Sequence, residues 1–247
     1  MPQKTIEKTE PHYRGSFSIS SKDDMENMFR QVEKHYDFLN RLFSFGLDLR
    51  WRRKSAKILE FPDNSLILDL GAGTGDFSIA LRKESKVNIV AVDLVEEMLT
   101  RFESKINNEE NWARFIIADG ENLPFPENEF NGVITAFVGR NFLDLEKGLS
   151  EIKRVLKEDG KIGFLEFCTP ENLLIRRLRW IYFHTFIPLI GWFFMKGNVN
   201  AYRYLVKSIE QFYTVNEMKD IFKSAGFKQV ESHTFNLGTV ALITGEK

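Results

Sequence analysis

Leu66-Ile67-Leu68-Asp69-Leu70-Gly71-Ala72-Gly73-Thr74-Gly75-Asp76 is the stretch that decides the fold. Residues 66–70 are apolar except for one aspartate, which is typical of a buried parallel strand. Three glycines at alternate positions follow, and an apolar periodic run covers 77–81. The stretch therefore predicts a strand, a tight turn and a helix, with unpaired backbone N–H groups at the helix start that face a ligand.

Three kinds of ligand site use a glycine turn of this type. The dinucleotide fingerprint G-x-G-x-x-G needs its third glycine one residue after Gly75, and a P-loop needs a lysine that this turn lacks. The spacing D-x-G-x-G-x-G, which begins at Asp69, resembles motif I of class I S-adenosylmethionine (SAM) methyltransferases. The resemblance implies that Asp69, Gly71, Gly73, Thr74 and Gly75 contact SAM.

Composition narrows the class of protein. The 247 residues include 34 basic and 35 acidic side chains, a balance that gives no electrostatic footprint for nucleic acid. Cys168 is the single cysteine, so an internal disulfide is excluded and a reducing compartment is favoured. The first 20 residues lack an apolar signal core, and no apolar run is long enough to span a membrane. We therefore expect a cytoplasmic protein without a nucleic-acid partner.

The expected organisation is a flexible tail over 1–20 and a single domain over 21–247. Strands are predicted at 66–70, 88–92, 114–118, 131–137, 161–167, 227–232 and 239–244, and helices at 95–106, 143–156 and 214–225. Glu158-Asp159-Gly160 is predicted to end the second of these helices. The fold class is α/β, a Rossmann-like class I methyltransferase sheet, mostly parallel with an antiparallel C-terminal strand.

Two helical additions to this sheet are predicted. Residues 21–60 form an N-terminal cap, in which Asp23 or Asp24 caps a helix that runs to about Phe43. Residues 171–212 form an inserted apolar lid, which is either a wall for a long apolar substrate or ordinary core. The nearby Arg176, Arg177 and Arg179 favour contact with an anionic membrane surface.

Two aspartates end predicted strands. Asp93 lies about 20 positions after the glycine turn, where it is placed to accept hydrogen bonds from ribose hydroxyls. It can also cap the following helix, and the two roles are compatible. Asp119-Gly120 ends the next strand, in the loop that borders the adenine in this fold. Both residues are therefore expected to contact SAM, and the Asp119 carboxylate can accept a hydrogen bond from the adenine amino group. The alternative for Asp119 is a solvated turn residue.

Val138-Gly139-Arg140-Asn141 follows the fourth strand, at the edge where open α/β sheets bind ligands. The [D/N]-P-P-[Y/F] motif of adenine and amide N-methyltransferases is absent at this position, which disfavours methylation of an exocyclic amine. Arg140 therefore either acts in the site or ties down the loop through a salt bridge.

Four strings resemble the ubiquinone/menaquinone biosynthesis C-methyltransferase family. Tyr36-Asp37-Phe38-Leu39-Asn40 through Trp51-Arg52 is similar to Y-D-x-x-N…W-[KR]. The string from Asp119 to Phe125 is similar to D-A-x-x-L-P-F, with Gly120 in place of the alanine. Residues 136–141 are similar to a-F-G-[LI]-R-N, with Val138-Gly139 in place of Gly-Leu, and 202–209 are similar to Y-x-Y-L-x-x-S-I.

The resemblance implies SAM-dependent C-methylation of a reduced polyprenyl quinone, with a demethylmenaquinol as first choice and a benzoquinol as second. It places three catalytic residues around the acceptor. Arg140 would stabilise a phenolate, Asn141 would hydrogen-bond an acceptor oxygen, and Tyr36 would close the site over the donor. Asp37 is either the partner of Arg140 or a surface carboxylate.

Two rival interpretations remain, a methyltransferase for another lipid or small molecule and a non-catalytic SAM-binding subunit. No metal is expected, because the histidines at 12, 35, 184 and 233 show no ligand spacing. Peripheral contact with the inner face of a membrane and a homodimer are compatible with the sequence, which does not fix the oligomeric state.

Overall fold

The computed structural model describes residues 21–32, 36–106, 111–188 and 199–247. The predicted tail over 1–20 and positions 189–198 of the predicted lid lie outside these residues. The strands are β1 (Leu66–Leu70), β2 (Asn88–Asp93), β3 (Ala113–Ile117), β4 (Phe130–Ala136), β5 (Leu156–Phe167), β6 (Lys228–Phe235) and β7 (Val240–Glu246). The helices are α1 (Lys22–Val32), α2 (Tyr36–Ser44), α3 (Leu47–Leu59), α4 (Asp76–Glu84), α5 (Glu96–Lys105), α6 (Leu145–Val155), α7 (Leu173–Ile181), α8 (Val199–Glu210) and α9 (Val215–Ser224).

The strands of the described residues form one sheet in the order β3-β2-β1-β4-β5-β7-β6. Strands β1 to β5 pair in parallel, and β7 is antiparallel to both β5 and β6. The predicted fold class is confirmed. The chain order reverses between β1 and β4, so the carboxyl ends of these central strands open into the crevice where such sheets bind ligands.

Helices cover both faces of the sheet. On one face, α6 and α9 bury Leu149, Ile152 and Phe222 against the sheet. On the other face, α3, α4 and α5 bury residues that include Leu59 and Phe102. Each of these helices carries its apolar residues on one side, and burial of that side fixes the helix against the strands. The strands whose carboxyl ends carry the candidate site are therefore packed between helices on both faces.

The prediction that Glu158-Asp159-Gly160 ends a helix is wrong. Helix α6 ends at Val155, and β5 begins at the next residue. The β4–β5 pairing moves from Phe130–Leu156 to Gly132–Lys161, so the residues between form a bulge at the start of β5. Asp159 has a φ of 62°, which supplies the local bend.

The predicted N-terminal helix corresponds to two described segments, α1 and α2, with 33–35 outside the described residues. A turn containing Phe45 and Gly46, both with positive φ, then leads into α3. In the insertion, α7 continues into a π-helical turn over Tyr182–Phe186. None of the described helices has the length and apolarity needed to cross a membrane.

Candidate active site

The glycine turn joins β1 to α4 as predicted. Gly71, Gly73 and Gly75 have φ values of 63°, 53° and 80°, a region that favours glycine. A Cβ at Gly75 would clash with the ring of Phe102 at 2.0 Å. A Cβ at Gly73 would meet no atom closer than the ring of Tyr36, at 3.9 Å. The turn is thus held close to the core at one end and exposed to a pocket in the middle.

Asp93 connects this turn to the end of β2. Its Oδ2 accepts a hydrogen bond from the Gly73 N–H at 2.8 Å, and its Oδ1 accepts one from the Val95 N–H at 3.0 Å. Burial raises the pKa of this carboxyl group. A carboxylate oxygen has two lone pairs, so each oxygen can accept a further hydrogen bond from a ribose hydroxyl. Asp93 is not the N-cap of α5, because Val95 occupies that position and receives no side-chain cap. The ribose role of Asp93 stays a prediction.

A pocket lies at the carboxyl ends of the strands, and we call it the strand-end pocket. Its wall includes most of the residues predicted to contact SAM: Gly71, Gly73, Asp93, Asp119 and Gly120. The glycine backbone leaves room for an adenosine to approach closely. The carboxylates of Asp93 and Asp119 can accept hydrogen bonds from its hydroxyl and amino groups.

The opposite wall of the strand-end pocket comes from α1, which the sequence did not assign to the site. Met25 and Phe29 line it, and the Nζ of Lys22 forms ion pairs with Asp119 and, at 3.2 Å, with Glu121. Asp119 is thus a half-buried turn residue with a cationic partner, and its contact with the adenine stays a prediction.

The two departures from the family strings have structural counterparts. A Cβ at Gly120 would lie 2.9 Å from Phe142, so the ring of Phe142 occupies the space of the family's alanine. Val138 packs over the glycine turn, where a Cβ at Gly71 would lie 2.4 Å from it. Both substitutions are accommodated by close packing around the pocket.

Asp69 and Thr74 lie below and beside the glycine turn. The Ser78 hydroxyl donates to Asp69 Oδ2 at 2.6 Å, and burial raises the pKa of Asp69 to about 7. The Thr74 hydroxyl donates to Asp37 Oδ1 at 2.5 Å, and Asp37 also pairs with Lys105 at 2.5 Å. Neither proposed role of Asp37 is found, because it fastens α2 over the turn and does not contact Arg140.

A second and mostly apolar cavity of about 310 Å³ lies between α2, α3, α7 and α8. Tyr36 and Phe137 line both this apolar cavity and the strand-end pocket. Phe137 has a φ of 64°, and its ring packs 4.7 Å from that of Phe167. Tyr36 is half-buried, and burial raises its pKa. These two rings form the boundary across which a group could pass between the two spaces.

Arg140 lines the apolar cavity and is also tied down. Its Nη1 donates to Glu166 Oε1 at 2.8 Å and to the Phe137 carbonyl at 2.6 Å. Burial raises the pKa of Glu166. The salt-bridge alternative is therefore observed, although it leaves the guanidinium at the cavity wall. Glu166 was missed, and its only signal was a lone acid in the apolar strand 162–167.

Asn141 faces the strand-end pocket, and Arg140 faces the apolar cavity. The Tyr204 hydroxyl donates to Asn141 Oδ1 at 2.9 Å. The side-chain carbonyl is thus engaged, and the NH₂ group is the part that can donate to an acceptor oxygen. The catalytic role of Asn141 stays a prediction.

Solved structures with the same fold are methyltransferases. The putative methyltransferase bound to the Trm112 activator of Haloferax volcanii is 16% identical, with a TM-score of 0.64, and the match covers 88% of this chain and 96% of that one. A possible histamine N-methyltransferase from Thermotoga maritima is 18% identical, with a TM-score of 0.64 and coverage of 90% and 99%. The fold is therefore that of the class I SAM-dependent methyltransferases.

Sequence relatives narrow this class. The model of the ubiE/COQ5 methyltransferase family matches residues 18–247. A ubiquinone/menaquinone biosynthesis C-methyltransferase of Geotalea daltonii is 36% identical over 94% of this chain and 100% of its own. A demethylmenaquinone methyltransferase of Thermus thermophilus is 37% identical over 89% and 100%. The chain belongs to the ubiE/COQ5 methyltransferase family. It is an enzyme, and SAM is its cofactor.

Proposed function

We propose that the protein methylates a ring carbon of a reduced polyprenyl quinone, with a demethylmenaquinol preferred to a benzoquinol. The observation that carries the proposal is the apolar cavity that meets the strand-end pocket at Tyr36 and Phe137. A polyprenyl acceptor needs such a surface, since its tail is hydrocarbon. The relatives named for demethylmenaquinone methylation, from Thermus thermophilus and Chlorobaculum tepidum, support the choice of head group.

The donor would occupy the strand-end pocket. Asp93 would accept hydrogen bonds from the ribose, and Asp119 would accept one from the adenine amino group. Bound SAM supplies a methyl group that is activated by its positive sulfur. Helix α1 of the predicted cap would cover the donor, and the described helices of the cap and lid, α2, α3, α7 and α8, would enclose the acceptor.

The chain's contribution to the reaction is chiefly alignment and electrostatics. The acceptor ring carbon would form a bond to the methyl carbon of SAM as the carbon–sulfur bond breaks, with S-adenosylhomocysteine as the leaving group. Arg140, held by Glu166, would stabilise the phenolate that makes this carbon nucleophilic, because a guanidinium keeps its charge at neutral pH. The acceptor hydroxyl would lose its proton to water to form this phenolate. After transfer, the methylated ring carbon would lose its own proton to water, and reprotonation of the oxygen would restore the aromatic hydroquinone.

Methyl transfer from labelled SAM in detergent tests this function. We expect demethylmenaquinol to be labelled when dithionite is present and not when it is absent. The product should reoxidise to a quinone, which a C-methylated hydroquinone can do and an O-methylated one cannot. A product that resists reoxidation would contradict C-methylation. SAM binding without any labelled quinol would favour another acceptor or a non-catalytic subunit.

We also propose that α7 rests on an anionic membrane surface at the cytoplasmic face. Leu174, Leu178 and Trp180 are exposed, and Arg176 and Arg177 lie beside them. Arg179 does not contribute, because it is half-buried and donates to the Cys168 carbonyl at 2.8 Å. Leu178 also lines the apolar cavity, so the same helix would join the cavity to the lipid that holds the acceptor tail.

Vesicle flotation tests this contact. We expect the protein to float with vesicles that contain phosphatidylglycerol and to bind weakly to pure phosphatidylcholine. Leu174→Asp should abolish flotation, whereas Leu143→Asp, at another exposed leucine, should not. Equal flotation of both variants would contradict the assignment to α7.

A further inference from the structure

A third and small pocket lies beside the glycine turn, and we call it the turn pocket. It is bounded by Arg52, Asp69, Gly73, Thr74 and Asp76. It shares Tyr36, Gly71, Gly73 and Ala136 with the strand-end pocket, so the two are adjacent across the turn. The adenosine contacts predicted from the sequence, Asp93 and Asp119, belong to the strand-end pocket alone.

Arg52 is the one cation among the described residues that line the turn pocket. It projects from α3, is only 6% exposed, and lies with its Cζ 4.9 Å from the centre of the Phe137 ring. Its Nη1 donates to the carboxylate of Asp48 at 3.0 Å and to the Asp48 carbonyl at 3.3 Å. These bonds use one of the three guanidinium nitrogens, and a guanidinium has five N–H donors in all.

Asp48 has a second cationic partner besides Arg52. It also forms an ion pair with Arg41, which in turn contacts Asp76 at 2.5 Å. Arg52 therefore lies at the edge of a charged network, with one shared anionic partner. A buried arginine in this position is well suited to a second carboxylate, because the planar guanidinium pairs with carboxylates through two parallel hydrogen bonds.

The methionine end of SAM carries an ammonium group and a carboxylate. Asp69 and Asp76 give the turn pocket two carboxyl groups that can accept hydrogen bonds from the ammonium, with Asp76 also paired to Arg41 and Lys105. Arg52 gives the pocket the complementary cation. The charge of Arg52 acts across this pocket, since it partly offsets the effect of burial on the pKa of Asp69 and helps to hold the pKa of Asp76 below its usual range against burial. The pocket thus matches a zwitterion in sign at both ends.

We propose that Arg52 binds the α-carboxylate of the donor's methionine moiety in the turn pocket. The inference depends on SAM as cofactor and is independent of the quinol acceptor. Arg52 also lines the apolar cavity, so the competing possibility is that it binds the acceptor and not the donor.

Calorimetry with two ligands tests the assignment. S-adenosylhomocysteine carries the amino-acid end, whereas 5′-methylthioadenosine has the same adenosine without it. We expect Arg52→Gln to weaken S-adenosylhomocysteine binding about tenfold or more and methylthioadenosine binding less than about twofold. Arg53→Gln, at the exposed neighbour on the same helix, should change neither.

Retained methylthioadenosine binding also reports that the variant is folded. Should Arg52→Gln fail to fold, Arg52→Lys preserves the charge beside Asp48 and should still lose the two-point contact, with a weaker but selective effect on S-adenosylhomocysteine. If Arg52→Gln weakens the binding of both ligands equally, the proposal is overturned and Arg52 has a structural role. Unchanged binding of both with reduced methyl transfer would overturn it in favour of the acceptor.

Discussion

The Nη1 of Arg140 lies 2.8 Å from the Oε1 of Glu166, and both side chains are buried where β4 and β5 end. Glu166 is 1% exposed, and its carboxylate also accepts the backbone N–H of Phe167 at 2.8 Å. Because a buried cation without its partner is costly, Glu166 fixes where the Arg140 charge lies. That charge stands at the wall of the apolar cavity, and Arg140 does not line the strand-end pocket.

Glu166→Gln should therefore separate donor binding from methyl transfer. The amide still accepts a hydrogen bond but no longer orients Arg140 by charge. We expect SAM affinity within about twofold of wild type and turnover lowered at least about tenfold, and the same pattern for Arg140→Ala. Calorimetry and a labelled-methyl assay measure the two quantities. If Arg140→Ala leaves both unchanged, Arg140 is only a structural tie.

Asp93→Ala should act on the donor. Loss of an acceptor for both ribose hydroxyls is expected to weaken SAM binding about tenfold or more, on the order of 1.4 kcal/mol. Calorimetry measures the affinity, with Asp220→Ala at a 76% exposed side chain as control. Unchanged SAM affinity would remove the ribose assignment and leave Asp93 as the support of Gly73 and Val95.

Asp69 should make stability depend on pH. Burial raises its folded pKa to about 7 from 3.8, so the folded state holds a proton that the unfolded state has released between these values. Its stabilising contribution is complete below the unfolded pKa and is lost as pH rises through about 7. Asp69→Asn keeps an acceptor for Ser78 and removes the titration.

The measurement for Asp69 is urea unfolding of both proteins at about pH 5 and about pH 8. Between the lower and the higher pH, we expect the free energy of unfolding of the variant to rise relative to that of wild type by an amount on the order of a few kcal/mol. Parallel stability profiles would show that Asp69 titrates near its ordinary value.

Gly120 and Phe142 should be coupled. A Cβ at Gly120 would lie 2.9 Å from Phe142 and 3.1 Å from Leu70, so Gly120→Ala alone should destabilise the protein by about 1 kcal/mol. Phe142→Leu removes the ring and should make the added methyl group tolerable. Thermal unfolding of the two single variants and the double variant gives the coupling energy. If the stability changes of the two single variants simply add in the double variant, the Phe142 ring is not what requires a glycine at position 120.

Local sequence was enough to predict the sheet, the glycine turn and the clustering of Asp93 and Asp119. Each lies at a strand end, and parallel strands bring their carboxyl ends to one edge. Contacts between distant segments were beyond this reasoning. Glu166 meets Arg140 across 26 residues and Lys22 meets Asp119 across 97, and neither pair has a spacing rule. The hydrogen bond from Thr74 to Asp37 likewise depends on how α2 packs over the glycine turn, which local sequence does not show.

The most direct test of the central claim offers demethylmenaquinol and its benzoquinol analogue together, in detergent with dithionite and labelled SAM. The account predicts label on a ring carbon of the naphthoquinol, with the benzoquinol labelled less. Label on neither quinol, with SAM binding confirmed by calorimetry, would contradict it and would leave the apolar cavity to another acceptor.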